Sequence, residues 1–542
     1  MRRLLWKHPR AAWVVLVAFG IFPLGALAAA QQQLSPKPQF GGIYRRPLAQ
    51  APSTLDPAKI NDIYGRTIAE QIFGGLVRFD SALTIKPGIA KSWRSSRDGL
   101  VWTFTLRRGV RFHNGREVTA DDFIYSLTRI LNPKTNSGAQ SLFLNIDGAK
   151  EYIARKSETV RGIKAPDRYT LQISLVDSSG PFVSTLAIGA AKVVPREIVD
   201  GAGADSFGKR PIGTGPFRLV QWDEQQIVLE ANPHYYEGRP FLDRVVYRIF
   251  AGDPIEKMFA AFTSGELEDA PFPSDAREKL IRSQDYLFIR RPILGIRFLA
   301  MNTASPPLDD VRVRKAITHA IDRKWIAEHI YNGRYLPGVG ILPPGTYGYD
   351  PKLAGLEYDP NRSRELLAQA GYSTSRPLPT LHIWSAAKFE EAVAELEKIV
   401  EYLAAVQIKA IVHFNTNWPV FKRSAYAGEF PMFRYSWYAD SPEPSSFLEL
   451  LLHSKAPHNL PRYHNARVDS LLEQGKAEVD YFKRVSTYKT AERILVQEAP
   501  MLVLGYYSYE RVFQPYVHGI DVSALGDRYI PMNKIWLAPP VK

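Results

Sequence analysis

The sequence predicts an α/β fold built from two or three domains. Its 542 residues exceed what one hydrophobic core usually organises, and its 45% hydrophobic and 23% charged content is typical of globular proteins. From Ile293 onward, helical and strand patterns alternate, which is typical of an α/β lobe. The part before Ile293 is richer in short strands and turns.

In the first part of the chain, short strands surround a few helices. Residues 102–106 alternate large apolar and hydroxyl side chains, as in a half-buried strand. Residues 119–122 resemble a capping box, with Asp122 in place of Glu or Gln, and predict a helix to about Leu131. A Gly-Thr-Gly segment lacks the further residues of a nucleotide-binding loop and predicts a tight turn. Other predicted elements are strands at 41–45, 76–80, 168–175 and within 217–250, and a helix at 64–73.

The second part contains longer helices between buried strands. Asp309 or Asp310 is expected to cap a helix that continues to Asn332 and stops at Gly333. Apolar residues recur at helical spacing within 391–406. The remaining predicted elements are helices at 362–370 and 481–497 and strands at 295–302, 381–384, 408–414, 432–437 and 501–507.

Residues 1–30 have the pattern of a secretory signal peptide. A basic head is followed by an uncharged segment, 11–30, that ends in small residues suited to cleavage. We therefore expect export to the periplasm. An uncleaved membrane anchor is the alternative, because an apolar segment of this length could just span a bilayer. The chain has no cysteine, so neither a disulfide nor a lipid attached through cysteine is expected.

Composition and motifs argue against several functional classes. The formal charge of +14 falls to +10 without the four basic residues of the signal segment, and the remaining basic residues are scattered. A nucleic-acid partner is therefore not expected. The motif search finds no hydrolase elbow, zinc-protease, Walker or kinase motif, so we assign no catalytic residue, cofactor or metal ligand. His453, His458 and His464 lack established zinc spacing and are interpreted as surface residues.

Residues 434–447 form the most informative local segment. They begin as an aromatic-rich strand and end in a turn with two prolines, and Asp440 lies where the strand stops. A carboxylate among aromatic rings can receive an ammonium group, and Arg434 can receive a carboxylate. Together they suggest a pocket for a ligand with both charges. The alternative is that Asp440 only ends the strand and Arg434 is a solvated edge charge.

Several segments, taken in order, resemble the extracellular solute-binding proteins of peptide-type ABC transporters, the oligopeptide- and dipeptide-binding family. No single segment is specific to this family, but their occurrence in this order behind a signal peptide is specific. They are Pro-Gly-Ile-Ala-Lys-Ser-Trp at 87–93, Trp-Thr-Phe-Thr-Leu-Arg at 102–107, Val-Thr-Ala-Asp-Asp-Phe at 118–123, Gly-Thr-Gly-Pro-Phe at 213–217 and Asp-Val-Arg-Val-Arg-Lys-Ala-Ile at 310–317.

This resemblance implies a two-lobed periplasmic binding protein of type II, cluster C, with an extra domain in the first lobe and two crossing hinge strands. After the signal peptide at 1–30, lobe I would comprise residues 31–292, completed by 503–542. The extra domain would lie at about 61–190, and lobe II at 293–502. The crossings would lie near 293–299 and 501–507, where the sequence pattern also predicts buried strands.

The resemblance also implies roles for individual residues. In oligopeptide-binding members, the residue matching Asp440 receives the peptide ammonium, and an Arg matching Arg434 can meet a ligand carboxylate. Trp437 belongs to the same motif. Main-chain groups matching Ser436 and Tyr438 pair with the peptide, and the opposite lobe contributes near Asn61 and Ile63.

The expected function is capture of short peptides in an inter-lobe cleft and their delivery to an inner-membrane ABC transporter, by a monomer that is not an enzyme. Departures from the family pattern leave the ligand open, because Ser441-Pro442 follows Asp440 and Phe389 stands where a His can occur. The alternative is the same scaffold binding another cationic or zwitterionic solute, such as an opine, an amino-sugar compound or a metal chelate.

Overall fold

The computed structural model describes residues 37–202, 204–252 and 255–539. The predicted signal peptide, residues 1–30, lies outside these ranges. Within them, no helix combines the length and the apolar character needed to cross a membrane.

The described residues form many short strands and helices of varied length. The strands are β1 (Ile43–Leu48), β2 (Val77–Phe79), β3 (Ile85–Pro87), β4 (Ala90–Ser95), β5 (Val101–Leu106), β6 (Ile163–Asp167), β7 (Thr170–Ser174), β8 (Phe217–Trp222), β9 (Gln226–Ala231), β10 (Arg244–Ile249), β11 (Asp269–Ala270), β12 (Leu287–Met301), β13 (Leu336–Pro337), β14 (Leu381–Ser385), β15 (Ala410–Phe414), β16 (Met432–Tyr438), β17 (Met501–Phe513), β18 (Val517–His518) and β19 (Trp536–Leu537). The α-helices are α1 (Ile63–Ile72), α2 (Ala120–Leu131), α3 (Ala149–Ile153), α4 (Phe182–Thr185), α5 (Arg196–Ala202), α6 (Ala204–Phe207), α7 (Ile255–Thr263), α8 (Arg277–Arg282), α9 (Val311–Ala320), α10 (Arg323–Trp325), α11 (Pro360–Gln369), α12 (Glu390–Ala405), α13 (Trp418–Ala427), α14 (Leu448–Leu452), α15 (Ala466–Ala477) and α16 (Tyr481–Glu498).

Two four-stranded sheets precede β11. In the first, β1 pairs in parallel with β10, and β9 and β8 follow in antiparallel order. In the second, β4, β5, β7 and β6 form an antiparallel sheet inside the predicted extra domain. As the alternating pattern predicts, Trp102, Phe104 and Leu106 of β5 are buried, whereas the residues between them are partly exposed.

A seven-stranded sheet contains all the strands from β11 to β17. Its order is β11-β17-β12-β16-β14-β15, with β13 beside β17. β12 and β17 are antiparallel partners over most of their length, and they contain the two segments predicted to cross between the lobes. Both strands run without a break through the predicted lobe boundaries at 292/293 and 502/503, so the boundaries themselves stay a prediction.

The long helix predicted from Asp310 is divided into two. Asp310 caps α9, because its side chain accepts the N–H of Arg312 at 2.8 Å. The helix ends at Ala320, and Asp322 then accepts the N–H of Trp325 at 2.9 Å and caps α10. A second capping residue inside the helical pattern therefore starts a new helix.

A buried glutamate joins the last long helix to a loop beside the second crossing strand. Glu492 of α16 accepts the main-chain N–H groups of Ile341 and Leu342 at 2.8 and 2.9 Å. The hydroxyl of Tyr506 on β17 donates to the carbonyl of Gly340 in the same loop at 3.0 Å. Burial raises the pKa of Glu492 to about 7, which means that the fold favours the neutral carboxyl group.

Replacing this glutamate should change how stability depends on pH. Because its folded pKa lies above its ordinary value of 4.5, the free energy of unfolding of the native protein should fall as pH rises from there to about 7 and then level off. Glu492→Gln removes the titrating proton and should flatten this interval, with a difference on the order of 1–3 kcal/mol above neutral pH. Urea unfolding of both proteins at several pH values measures this difference. Parallel pH profiles would contradict the assignment.

Candidate ligand-binding site between the lobes

The outer edge of β16 is open beside the predicted site. β14 pairs only with the first two residues of β16, Met432 and Phe433. Among the described residues, no other strand covers that side of 434–438. On the inner side, the N–H of Ala439 donates to the carbonyl of Leu294 at 2.9 Å. Along an antiparallel strand, the N–H and C=O groups of successive residues point alternately to one side and the other. Because Ala439 bonds to β12, the main-chain groups of Ser436 and Tyr438 point away from β12 and toward the open edge.

Asp440 follows this edge and contacts residues of the predicted first lobe. Its Oδ1 accepts hydrogen bonds from Arg66 Nη1, at 2.5 Å, and from Arg528 Nη1. Arg66 lies in the first turn of α1, and Arg528 lies in the short 3-10 helix Gly526–Tyr529 after β17. The Asp440 side chain keeps 38% of its surface exposed. The sequence pattern predicted aromatic faces around this carboxylate, but the groups bonded to it are two guanidinium groups.

Helix α1 is fixed at both ends, which positions Arg66. At its start, the Asp62 side chain accepts the N–H of Gly65 at 2.7 Å and caps the helix. At its end, the N–H of Gly215 donates to the carbonyl of Ile72 at 2.7 Å. A Cβ on Gly215 would come within 2.5 Å of main-chain atoms, so only glycine allows this approach. The predicted Gly-Thr-Gly turn is therefore part of the support for α1.

Arg528 is positioned by its neighbour in the chain. The carboxylate of Asp527 accepts hydrogen bonds from Arg46 and Arg511, both at 2.9 Å. Burial acts to raise the pKa of Asp527, but these two arginines outweigh it and lower the pKa. Arg528 also donates from Nη2 to the carbonyl of Ala439 at 2.9 Å, so it contacts the end of β16 twice.

Arg434 is buried in an internal ion pair, which corrects its interpretation as a solvated edge charge, and its role in meeting a ligand carboxylate stays a prediction. Its Nε donates to Oε1 of Glu395 at 2.7 Å, and Oε2 of the same glutamate lies 2.9 Å from Arg297 Nη2. Arg297 lies over the rings of Tyr331 and Tyr335. Burial acts to lower the pKa of Arg434, but the charge of Glu395 outweighs it and raises the pKa. These three buried ionic groups sum to one positive charge.

The other predicted residues of β16 have different surroundings. The indole Nε1 of Trp437 donates to the carbonyl of Ser446 at 2.8 Å, so this side chain packs within the second lobe. The hydroxyl of Ser436 lies 2.7 Å from that of Tyr507. Tyr438 is 48% exposed, and its ring centroid lies 4.8 Å from that of Tyr507. Ser436 and Tyr438 therefore share one face, and Trp437 belongs to the other.

A pocket of about 160 Å³ lies beside Asp440. Asn61 lines the same pocket, so the structure brings these two predicted residues together. Ile63 is 49% exposed and is not one of the lining residues. The rest of the pocket consists of small, apolar and charged residues: Pro57, Ala58, Ile60, Arg66, Ala69, Glu70, Ser137, Gly138, Ala139, Leu142, Ile188, Gly189, Ala190 and Tyr529.

The cations of this site were not predicted from the sequence. Arg66 and Arg528 are separated from Asp440 by 374 and 88 residues, so no local pattern connects them. The resemblance pointed only to the neighbourhood of Asn61. Tyr529 was also missed. Burial raises its pKa, and the charges of Glu70 and Asp440 raise it further, so its hydroxyl remains neutral.

The site offers charged groups and main-chain hydrogen bonds. Within residues 37–202, 204–252 and 255–539, no group of three or more histidine and acidic side chains could hold a metal ion. The open edge of β16 can pair with an extended chain, and the Asp440 carboxylate can pair with a cation. This arrangement suits non-covalent binding of a polar ligand.

Comparison with known proteins gives consistent matches across the chain. The family model described as "Bacterial extracellular solute-binding proteins, family 5 Middle" matches residues 84–459. Heme-binding protein A of Haemophilus influenzae is 29% identical over 88% of this chain and 89% of its own length. The periplasmic murein peptide-binding protein of Escherichia coli is 28% identical over 92% of each chain.

Solved structures show the same fold. The unliganded open form of a periplasmic murein tripeptide-binding protein superposes with a TM-score of 0.81, at 26% identity, over 91% of this chain and 97% of that one. A transporter-associated binding protein from Helicobacter pylori, in complex with the peptide STSA, superposes with a TM-score of 0.73, at 27% identity, over 92% and 98%. The two-lobed α/β architecture is therefore shared with solute-binding proteins.

Glu395 should be a major determinant of stability, because it is the counter-ion of two buried arginines. Glu395→Ala leaves the buried charges of Arg297 and Arg434 without a counter-ion and should lower the free energy of unfolding by about 3–5 kcal/mol. Glu278→Ala is the matched control, since it breaks an exposed pair with Arg282 and should cost less than about 1 kcal/mol. Urea unfolding measures both values. Equal losses would contradict the role given to Glu395.

Proposed function

Because the chain belongs to the bacterial extracellular solute-binding proteins of family 5, we propose that it captures short peptides between its lobes and delivers them to an ABC transporter in the inner membrane. The main support is the location of Asp440, which lies between the open edge of β16 and the pocket that it shares with Asn61. Relatives of similar length are named as peptide-binding proteins.

Strand addition to β16 is the proposed mode of binding. An extended peptide pairs its main chain with the outward-facing main-chain groups of Ser436 and Tyr438. These hydrogen bonds do not depend on the side chains of the peptide. Asp440 fixes the register by receiving the peptide ammonium, a charged hydrogen bond worth on the order of 1.5–3 kcal/mol. Asn61 borders the ammonium end from the opposite lobe.

The length of the edge favours short ligands. From Arg434 to Asp440 the chain advances six residues, which is on the order of 20 Å in extended conformation. The buried group of Arg434, Arg297 and Glu395 has one positive charge in excess at the far end of this edge. A peptide whose ammonium lies at Asp440 therefore has its carboxyl end directed toward net positive charge.

Closure of the lobes around the ligand is the proposed signal to the transporter. β12 and β17 form the hinge, and ligand contacts with both lobes favour the closed form. The better superposition on an unliganded open form than on a peptide complex supports an open arrangement of the lobes here.

The cellular setting follows from the same proposal. The protein is exported by residues 1–30, works in the periplasm as a monomer and hands intact peptides to the transporter. The solute-binding family supports a role in binding without catalysis. Recovery of peptides unchanged after incubation with the protein would agree with this role, and cleavage products would contradict it.

Native mass spectrometry of the purified protein addresses the identity of the ligand. Co-purified peptides are the expected result. An opine, an amino-sugar compound or a metal chelate is the competing result. One relative is named as a heme-binding protein, so a bound heme is a further competing result. Any of these would overturn the peptide proposal and leave the shared scaffold intact.

The role of Asp440 can be tested with a matched pair of ligands, trialanine and N-acetyl-trialanine. Acetylation removes the ammonium charge and should weaken binding about tenfold or more. In Asp440→Asn the difference between the two ligands should disappear, because the carboxylate charge is gone.

Isothermal titration calorimetry measures these affinities. Asp285→Asn, which changes an exposed acidic residue outside the pocket, serves as the control and should behave as the unmodified protein does. A preference for trialanine that survives in Asp440→Asn would remove Asp440 from the ammonium site.

A further inference from the structure

The two oxygens of Asp440 have different surroundings. Oδ1 accepts both arginine hydrogen bonds. Among the described residues, no hydrogen bond is made to Oδ2, and the side chain is 38% exposed. A carboxylate has acceptor sites on both oxygens. Oδ2 can therefore receive a ligand ammonium while Oδ1 keeps both guanidinium groups.

Arg66 and Arg528 also differ in how many of their N–H donors are already used in hydrogen bonds. Arg528 uses Nη1 on Asp440, Nη2 on the carbonyl of Ala439 and Nε on the carbonyl of Leu525. The side chain of Arg66 makes one hydrogen bond, from Nη1, and its Nε and Nη2 have no acceptor among the described residues. Its side chain is 35% exposed. One edge of the Arg66 guanidinium fork is therefore unused, on the same side chain that bonds to Asp440, and such an edge fits a carboxylate.

Both arginines extend from backbone that is held in place by other contacts. Arg66 lies on α1, which is fixed by the Asp62 cap and the Gly215 contact. The backbone around Arg528 is held by Asp527 and its two arginine partners. Displacing Arg528 would also leave a largely buried guanidinium without its counter-ion, which is costly. The three charged groups therefore act as one preformed receptor.

The charge of this receptor selects the ligand. Asp440, Arg66 and Arg528 sum to one positive charge. The neighbouring Glu70 and Lys192 neutralise each other at 2.8 Å, and Asp62, which also faces Arg66, is engaged in capping α1. An ammonium group alone would increase the excess positive charge to two. An ammonium and a carboxylate together leave it unchanged, and each finds its own partner.

We propose that the ligand end bound at Asp440 is a complete amino-acid head group, with its α-ammonium on Oδ2 of Asp440 and its α-carboxylate on Nε and Nη2 of Arg66. This inference rests on the proposed function and narrows its substrate class. The first residue of an ordinary peptide has an α-ammonium but no free α-carboxylate. The favoured ligands are therefore peptides whose first residue is joined through its side-chain carbonyl, as in a γ-glutamyl or β-aspartyl linkage.

Four ligands separate the two charges of this head group. In γ-glutamyl-alanyl-alanine both are present, 4-aminobutyryl-alanyl-alanine lacks only the carboxylate, and glutaryl-alanyl-alanine lacks only the ammonium. Trialanine represents an ordinary peptide. By calorimetry, the γ-glutamyl ligand should bind about tenfold or more tightly than each of the other three, because each lost charge removes a charged hydrogen bond.

Arg66→Met tests where the carboxylate binds. This variant should lose the preference for the γ-glutamyl over the 4-aminobutyryl ligand, and binding of the 4-aminobutyryl ligand should change much less. Arg94→Met, an exposed arginine of β4, is the control and should keep the full preference. If Arg66→Met does not fold by thermal unfolding, Arg66→Lys, which retains the charge but not the fork, should show a reduced preference.

The outcomes distinguish this inference from the proposed function. Equal binding of γ-glutamyl and 4-aminobutyryl ligands by the unmodified protein, or a preference that persists in Arg66→Met, overturns the head-group assignment alone. Trialanine binding then still supports peptide capture. If none of the four ligands binds, the proposed function fails, and the assignment fails with it.

Discussion

The contact of Asp440 with Arg66 and Arg528 is the interaction on which the rest of the site depends. It joins the end of β16 to helix α1 and to the short 3-10 helix Gly526–Tyr529, both in the predicted first lobe. The pair with Arg66 is partly exposed, and exposed ion pairs contribute about 0–1 kcal/mol to stability. The pair with Arg66 alone therefore adds little to stability, whereas Arg528 is largely buried and bonds twice to the end of β16.

The proposed recognition of the ligand depends on two kinds of groups, the main-chain groups of β16 and the charged side chains at its end. The open edge of β16 offers main-chain hydrogen bonds, which accept any extended chain. The charged groups at its end are few and held in place by second contacts, including those of Asp527 with Arg46 and Arg511. Main-chain pairing thus supplies tolerance of side chains, and the fixed charges supply polarity and register.

Much of the fold, but less of the site, could be predicted from the sequence. The crossing strands, β16 and the cap at Asp310 depend on local apolar patterns and capping residues, which a sequence displays directly. The break at Asp322 was missed because a second capping residue lay inside a continuous helical pattern. Errors of this kind concern where an element ends rather than whether it exists.

The partners of the charged side chains could not be predicted from the sequence. The same arginine can meet a ligand, solvent or a buried glutamate, and only the folded chain decides between them. Arg434 was expected to meet a ligand carboxylate or to be a solvated edge charge, and the carboxylate that it contacts in the folded chain is that of Glu395. Asp440 was expected among aromatic rings, yet two distant arginines share one of its oxygens.

That sharing links recognition to closure. Because both guanidinium groups bond to Oδ1, a ligand cation can be received on Oδ2 without breaking the contact between the lobes. Binding then adds to the inter-lobe contact instead of competing with it. Under the proposed head-group assignment, a ligand that also engages Arg66 bonds to both predicted lobes through one end, so its binding energy should favour a closed arrangement.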